Sequence, residues 1–467
     1  MIKEYFTPEN LHYFLDRFTA DKSDLLAGYG GKNYLVDSIV PSDVMAISGD
    51  GARIQTNIGG LIDFQSMTVN CILGQNDPWV KMQQIAYLLS DRPSFHTTRL
   101  GSEIYYSLPR RLVDIGLAGI SNPVISHRQC NGSDAVEHAI RAAKNYNADR
   151  NLLISFRGSY HGQNLTAYAV SDVQRKHGFL ASFDSVFFLP APDGTATIDH
   201  DAPLTKSERD SLNRLREMAH DVFAVILEPI QMNNGVQPFS AAYLAALKSI
   251  CEQMDICLIF DEVQTGFGWL GTLSASEYHG VTPHICAFGK AVTSGNGPLG
   301  LTVAEQRFRH MEYGTASKTN GADLRSLVAA QAVIDRLLGV DTQSLPPFLN
   351  PVLKAQLGDG LLRSVTSTAD HLWNLMSEVK LRSSGAVSRL KGGGLICGLE
   401  INDSSDAQGL DVVEAIVDDC LTHGLFLRRS RNVLIVKVPA VITDSDLIEG
   451  AEILLDSIKR VVGAVHA

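Results

Sequence analysis

The stretch ICLIFDEVQTGFGWLGTLSASEYHGVTPHICAFGKAVTSGNGPLG, residues 256–300, holds two short apolar runs, each followed by a charged residue. Residues 256–260 have the length and unbroken apolar character of a strand buried on both faces, and Asp261 comes next. Residues 284–288 repeat the pattern ahead of Gly289 and Lys290. Parallel strands of one sheet open their carboxyl ends into a common crevice, where open α/β sheets bind ligands. Asp261 and Lys290 are therefore expected to face one ligand.

Outward from this stretch, residues 71–338 alternate strand-like and helical segments. Residues 151–156 and 222–227 read as further strands. Residues 241–254 place Tyr243, Leu244, Leu247, Ile250, Cys251 and Met254 on one helical face. Such alternation predicts a doubly wound α/β layer. Beyond Gly339 the pattern changes. Residues 395–400 and 433–438 read as strands, 412–421 as a helix, and 340–379 as helices with an exposed connection. Thr443 caps a last helix carrying Leu447, Ile448, Ala451, Leu454, Leu455 and Ile458. Near the start, Leu11, Phe14, Leu15 and Phe18 form an amphipathic face, followed by short alternating pieces around Gly51 and Gly59. The expected division is an N-terminal segment, 1–70, packing with the small domain; a large ligand-binding domain, 71–339; and a smaller α+β domain, 340–467.

The chain has 467 residues, 45% hydrophobic and 19% charged, which describes a compact chain with a large core. Its net charge of −11 and the lack of a basic, aromatic-rich patch argue against nucleic acid as a partner. No apolar run is long enough to span a bilayer, so no membrane association is expected. Residues 1–9 read as a helix start capped by Thr7 with Pro8 following, not as a secretory signal, which points to the cytoplasm. The seven cysteines are scattered without a Cys-x-x-Cys pair, so buried free thiols are expected rather than a disulfide framework or a metal site.

Two rival chemistries lack their partners. Asp261 and Glu262 after an apolar run mimic the magnesium-holding strand of P-loop ATPases, but no Gly-x-x-x-x-Gly-Lys-Ser/Thr accompanies them. Gly295, Gly297 and Gly300 satisfy Gly-x-Gly-x-x-Gly, yet Pro298 interrupts the motif and no strand runs directly into it. What remains fits pyridoxal phosphate, which needs an amine for its aldehyde, a carboxylate for its ring nitrogen, a phosphate cradle and ring packing. Lys290 is the candidate amine and Asp261 the carboxylate. Asn131, Gly132 and Ser133 precede a helical stripe of Ala135, Val136, Ala139, Ile140 and Ala143, so backbone amides at that helix start can meet an anion. Tyr160 could stack on the ring. Taken singly, each residue also has a plain reading as a solvated charge, a helix cap or core packing.

Five segments in order resemble class III aminotransferases of pyridoxal phosphate fold type I: Asn131-Gly-Ser-Asp-Ala-Val-Glu137, Tyr160-His-Gly162, Leu227-Glu-Pro-Ile-Gln231, Ile259-Phe-Asp-Glu-Val-Gln-Thr-Gly-Phe-Gly268 and Gly289-Lys290. The resemblance implies a large domain with a mainly parallel sheet flanked by helices and a smaller α+β domain from the two chain ends. It implies a transaminase moving an amino group between an amine or amino acid and an aldehyde or keto acid in two half-reactions. Lys290 would form the Schiff base and shuttle the proton, and Asp261 would hold the ring nitrogen. Val263 and Tyr160 would flank the ring, Gln264 would reach its hydroxyl, and Gly132 and Ser133 would bind phosphate. Glu228 belongs to the same cofactor-binding set. Thr319 would reach the neighbouring subunit's phosphate, making the active unit a homodimer, although Ala322-Asp-Leu324 departs from the Gly-Asn-Pro usual there.

Two departures bear on substrate. Where glutamate-handling members carry an arginine that grips a carboxylate, this sequence has Ile435. Asn233 stands where they place the glutamate that pairs with that arginine, so both halves of the pair are missing. Arg428, Arg429, Arg431, Lys437 and Arg99 remain as carboxylate partners, each with surface solvation as its plain alternative. The missing pair also leaves a racemase or epimerase, an aminomutase or a decarboxylase on the same scaffold as alternatives, with a non-catalytic cofactor-binding protein behind them.

Overall fold

The computed structural model describes residues 44–97, 99–177, 184–191, 203–311, 315, 318–345, 347, 349–402 and 412–465. The Thr7-capped helix and the face formed by Leu11 to Phe18 lie outside them. The main sheet has seven strands: β1 Val124–Gln129, β2 Leu152–Phe156, β3 Val186–Leu189, β4 Val222–Leu227, β5 Cys257–Asp261, β6 Ile285–Phe288 and β7 Gly300–Ala304. Their spatial order is β1-β7-β6-β5-β4-β2-β3. Neighbours from β6 through β3 are parallel, whereas β7 runs antiparallel to both β6 and β1. The four strands legible in the sequence, β2, β4, β5 and β6, are adjacent at the centre.

Every residue of β4, β5 and β6 is buried. Helices cover both faces, so these strands must be apolar throughout rather than alternating. One cover is α1, Gly132–Tyr146, whose first turn is capped by Asn131, its Oδ1 accepting the Asp134 amide at 3.0 Å. Another is α2, Ala241–Gln253, capped by Ser240 and burying Tyr243, Leu244, Leu247, Ile250 and Cys251. Burying a large apolar side chain contributes about 1.5–3 kcal/mol, which is why this face specifies the helix so firmly. Met254, expected on that face, falls at the helix end and is 39% exposed.

Two smaller sheets flank the main one. Ala46–Asp50, Arg53–Thr56 and Gly59–Asp63 pair antiparallel, and Leu425–Phe426 joins their edge parallel to Gly59–Asp63. Val387–Gly393, Ile396–Ile401, Val433–Lys437 and Arg428–Ser430 form an antiparallel sheet. The last helix, Asp444–Val465, begins at Thr443, whose hydroxyl accepts the Asp446 amide at 3.1 Å. Its Leu447, Ala451, Leu454, Leu455 and Ile458 are buried, while Ile448 is 42% exposed and so lies off the expected stripe. Among the described residues no helix is long and apolar enough to cross a membrane.

Candidate active site

Gly132, Ser133, Tyr160, Glu228, Asp261, Val263, Gln264 and Lys290 all line one cavity of about 860 Å³. They stand at the carboxyl ends of β1, β2, β4, β5 and β6 or in the segments just beyond them. Parallel strands with their helices on the sheet faces deliver successive carboxyl ends to one edge, so residues up to 158 positions apart in sequence meet there. Thr319 is exposed and does not line this cavity of its own chain.

Asp261 and Glu262 diverge at the end of β5. The Asp261 carboxylate accepts the Val263 amide at 3.1 Å through Oδ1, and its Oδ2 lies 2.7 Å from His161 Nδ1. Glu262 instead accepts the amides of Ala275 and Ser276, at 2.5 and 2.9 Å, at the start of the short helix Ala275–His279. Burial raises the Glu262 pKa to about 7 despite these bonds. The acidic pair that mimicked an ATPase strand is thus one site carboxylate and one structural cap.

Lys290 follows β6 with φ +47°, in the left-handed region where a non-glycine residue costs about 1–3 kcal/mol. Burial first, then the nearby Arg428 charge, lowers its pKa to about 8, against the opposing pull of Asp261 and Glu228. The amine is thereby poised between its charged and neutral forms near neutral pH. Glu228 is buried, and its Oε1 accepts the Tyr160 amide at 2.8 Å. Burial, followed by repulsion from Asp261, pushes its pKa well above the ordinary carboxylate range. Gln264 Nε2 reaches Glu228 Oε2 at 3.5 Å.

The residues fit the cofactor that the sequence suggested. At the start of α1, the Gly132 and Ser133 amides have no acceptor within the helix and lie at the cavity wall. A Cβ on Gly132 would stand 2.6 Å from Val263 Cγ1, and one on Gly289 would stand 3.0 Å from the Gly132 backbone. Only glycine lets the helix start, Val263 and the Lys290 turn approach so closely.

The sequence alone gives His161 no role, although it lies within Tyr160-His-Gly162. Its position in a strand-end turn was the available signal. Its side chain is fully buried, and Nε2 has no hydrogen-bond partner. Met67, Thr68, Asn70 and Cys71 also line the cavity, from a turn in which Ser66, Met67, Thr68 and Val69 all have positive φ. No local pattern announces that contribution. Gly295 and Gly297 line the cavity too, and a Cβ on Gly300 would meet the Asn131 carbonyl oxygen at 2.2 Å. The glycines of the false dinucleotide motif are therefore close-approach glycines.

Asn233 has a partner that the sequence did not reveal. Arg428 Nη1 donates to Asn233 Oδ1 at 3.2 Å, and Arg428 is the cross-strand neighbour of Ile435.

Residues 44–458 match the family described as Aminotransferase class-III. An acetylornithine aminotransferase of Xanthomonas campestris is 27% identical over 432 residues, spanning 90% of this chain and 93% of that protein. One from Synechocystis is 28% identical over 340 residues, spanning 71% and 72%. Among solved structures, a Bacillus anthracis aminotransferase has a TM-score of 0.78 at 20% identity, covering 94% of this chain and 98% of that one. An amine transaminase from an uncultivated Pseudomonas species in its PLP-bound form has a TM-score of 0.75 at 23% identity, covering 93% and 99%. The fold is that of PLP fold type I, and the family match favours transamination over the other reactions this scaffold supports. The chain belongs to the class III aminotransferases, and it is a pyridoxal-phosphate-dependent transaminase.

Proposed function

We propose that Lys290 and Asp261 carry the chemistry of this transaminase, exchanging an amino group between an amine or amino acid and an aldehyde or keto acid. The carrying observation is the convergence of both side chains with the α1 start on one cavity. When bound, pyridoxal phosphate supplies an aldehyde that exchanges amines and a protonated ring that draws electrons from the reacting carbon. Lys290 Nζ, with its pKa held near 8, takes a proton from the substrate carbon and returns it on the far side of the exchange. Asp261, oriented by His161, would hold the proton on the ring nitrogen. Val263 and Tyr160 would flank the ring, Gln264 would meet its hydroxyl, and the Gly132 and Ser133 amides would take the phosphate. Glu228 accepts the Tyr160 amide and the Gln264 side chain and so orders both residues.

The partner subunit's Thr319 completes the phosphate site in a homodimer; its exposure, and its absence from the lining of its own chain's cavity, support this reading. Seven free thiols fit a reducing compartment such as the cytoplasm. Pairing of Gly59–Asp63 with Leu425–Phe426 supports the packing of the N-terminal segment, described from residue 44, with a small domain of residues 340–467 beside the large domain, 71–339. Borohydride reduction of the holoenzyme followed by peptide mapping tests the central assignment. The cofactor is expected on the peptide containing Lys290. Attachment at the other buried lysine near the site, Lys437, would overturn it.

A further inference from the structure

The sequence left carboxylate recognition without a residue, because position 435 holds isoleucine and position 233 asparagine. The structure supplies an arginine from the adjoining strand. Arg428 pairs in register with Ile435, and its Nη1 is docked on the neutral Asn233 amide. Its Nε is buried and lacks a hydrogen-bond partner. Nε and Nη2 form the edge of a guanidinium that matches the two oxygens of a carboxylate.

Among the described residues no carboxylate forms an ion pair with Arg428. The groups around it do little to compensate its charge. Glu228 is pushed toward its neutral acid form by burial, and Tyr160 toward its neutral phenol. Lys437 is fully buried, donates to the Gln264 carbonyl and sits 4.0 Å from the Trp269 ring centroid. Burial, and then the charges of Lys290 and Arg428, drives its pKa well down. An arginine stays protonated throughout. Arg428 does not itself line the cavity of about 860 Å³, but it is a part-buried positive charge with no ion-pair partner among the described residues, and its field reaches Tyr160, Glu228 and Lys290, which do line it, so an anion there would meet it.

The other candidates are engaged or exposed. Arg429 pairs with Glu414. Arg431 is exposed and lines a separate cavity with Arg157, Asp172, Lys391 and Glu400. Arg99 is exposed.

We propose that Arg428, steadied by Asn233, is the residue that recognises substrate carboxylate in this site, so that the enzyme handles carboxylate-bearing amines and oxo acids. A neutral partner lets the guanidinium stay open to ligand without first breaking a buried ion pair, which a glutamate at position 233 would impose. This rests on the transaminase reading above, and the test separates the two. Calorimetric titration of the holoenzyme with glutarate, which cannot react, reads carboxylate binding alone. Arg428→Gln is expected to weaken glutarate binding by roughly 10- to 100-fold, the range for losing charge-assisted hydrogen bonds. Arg428→Lys, keeping charge without the fork, should fall between, and Asn233→Glu should weaken binding by closing an ion pair on Arg428. Arg431→Gln should bind as the parent does. Visible absorbance of the cofactor on Lys290, and its bleaching by butylamine, show that each variant is folded and loaded. Unchanged glutarate affinity in a loaded Arg428→Gln enzyme would overturn the Arg428 assignment, as would loss of affinity in Arg431→Gln alone. Failure to see any cofactor on Lys290 would instead overturn the transaminase assignment of that lysine.

Discussion

Substituting Gly162 by alanine tests how the phosphate cradle is held. Gly162 has φ +123°, a conformation that side-chain-bearing residues rarely adopt. A Cβ there would stand 2.2 Å from Ser133 Oγ and 2.7 Å from Ser133 Cβ. The hydroxyl now accepts the Gln163 amide at 3.3 Å, so the Tyr160–Gln163 turn and the α1 start are locked together. Overpacking costs about 1–3 kcal/mol. The unfavourable φ adds about 1–3 kcal/mol. A combined loss of about 2–6 kcal/mol is expected, unless the chain escapes by moving Ser133. That escape shifts the helix start away from the phosphate. Losing one charge-assisted hydrogen bond, about 1.5–3 kcal/mol, weakens cofactor binding roughly 10- to 150-fold. Differential scanning fluorimetry of cofactor-free protein reads the first effect, and titration with pyridoxal phosphate followed at its visible band reads the second. A variant that melts with the parent and binds cofactor equally well would refute the claim that Gly162 and Ser133 set each other's position.

The cofactor-free enzyme should take up pyridoxal phosphate at a rate that rises with pH through a midpoint around pH 8, because only neutral Lys290 attacks the aldehyde. Arg428→Gln should move that midpoint upward by removing a nearby positive charge; a midpoint near that of free lysine in the parent enzyme contradicts the pocket electrostatics. Glu262→Ala leaves the Ala275 and Ser276 amides buried without acceptors and should cost about 2–4 kcal/mol in thermal or denaturant unfolding, with cofactor absorbance unchanged in the folded fraction. With its pKa raised to about 7, Glu262 contributes stability that is full below its unfolded value and is lost as pH rises through about 7; the Glu262→Gln enzyme should lack that component of the pH dependence. Mixing inactive Lys290→Ala and Thr319→Ala chains, with subunit exchange, should restore activity to about a quarter of the parent level, since half of a random mixture is hybrid dimers with one intact site each. No recovery, with exchange verified, contradicts a Thr319 contribution across the interface.

The central sheet was legible because its strands are buried on both faces, and burial of that kind writes itself as unbroken apolar runs. β1 escaped notice because His127, Arg128 and Gln129 interrupt it, and β7 because it begins at Gly300 in a glycine-rich stretch. The site was legible to the same depth: a residue that ends an apolar run is delivered to the sheet edge, so Asp261 and Lys290 could be named in advance. Tertiary contacts alone reveal that His161 holds Asp261 and that the Ser66–Val69 turn supplies a wall, because these partners come from unrelated segments.

Residues 256–300 by themselves placed an acid and a lysine behind two buried runs, and the two side chains do line one cavity. Sequence likewise showed that positions 233 and 435 had lost their charged pair. The antiparallel pairing of Arg428–Ser430 with Val433–Lys437 decided what replaces it, because a cross-strand neighbour is set by register and not by its distance along the chain.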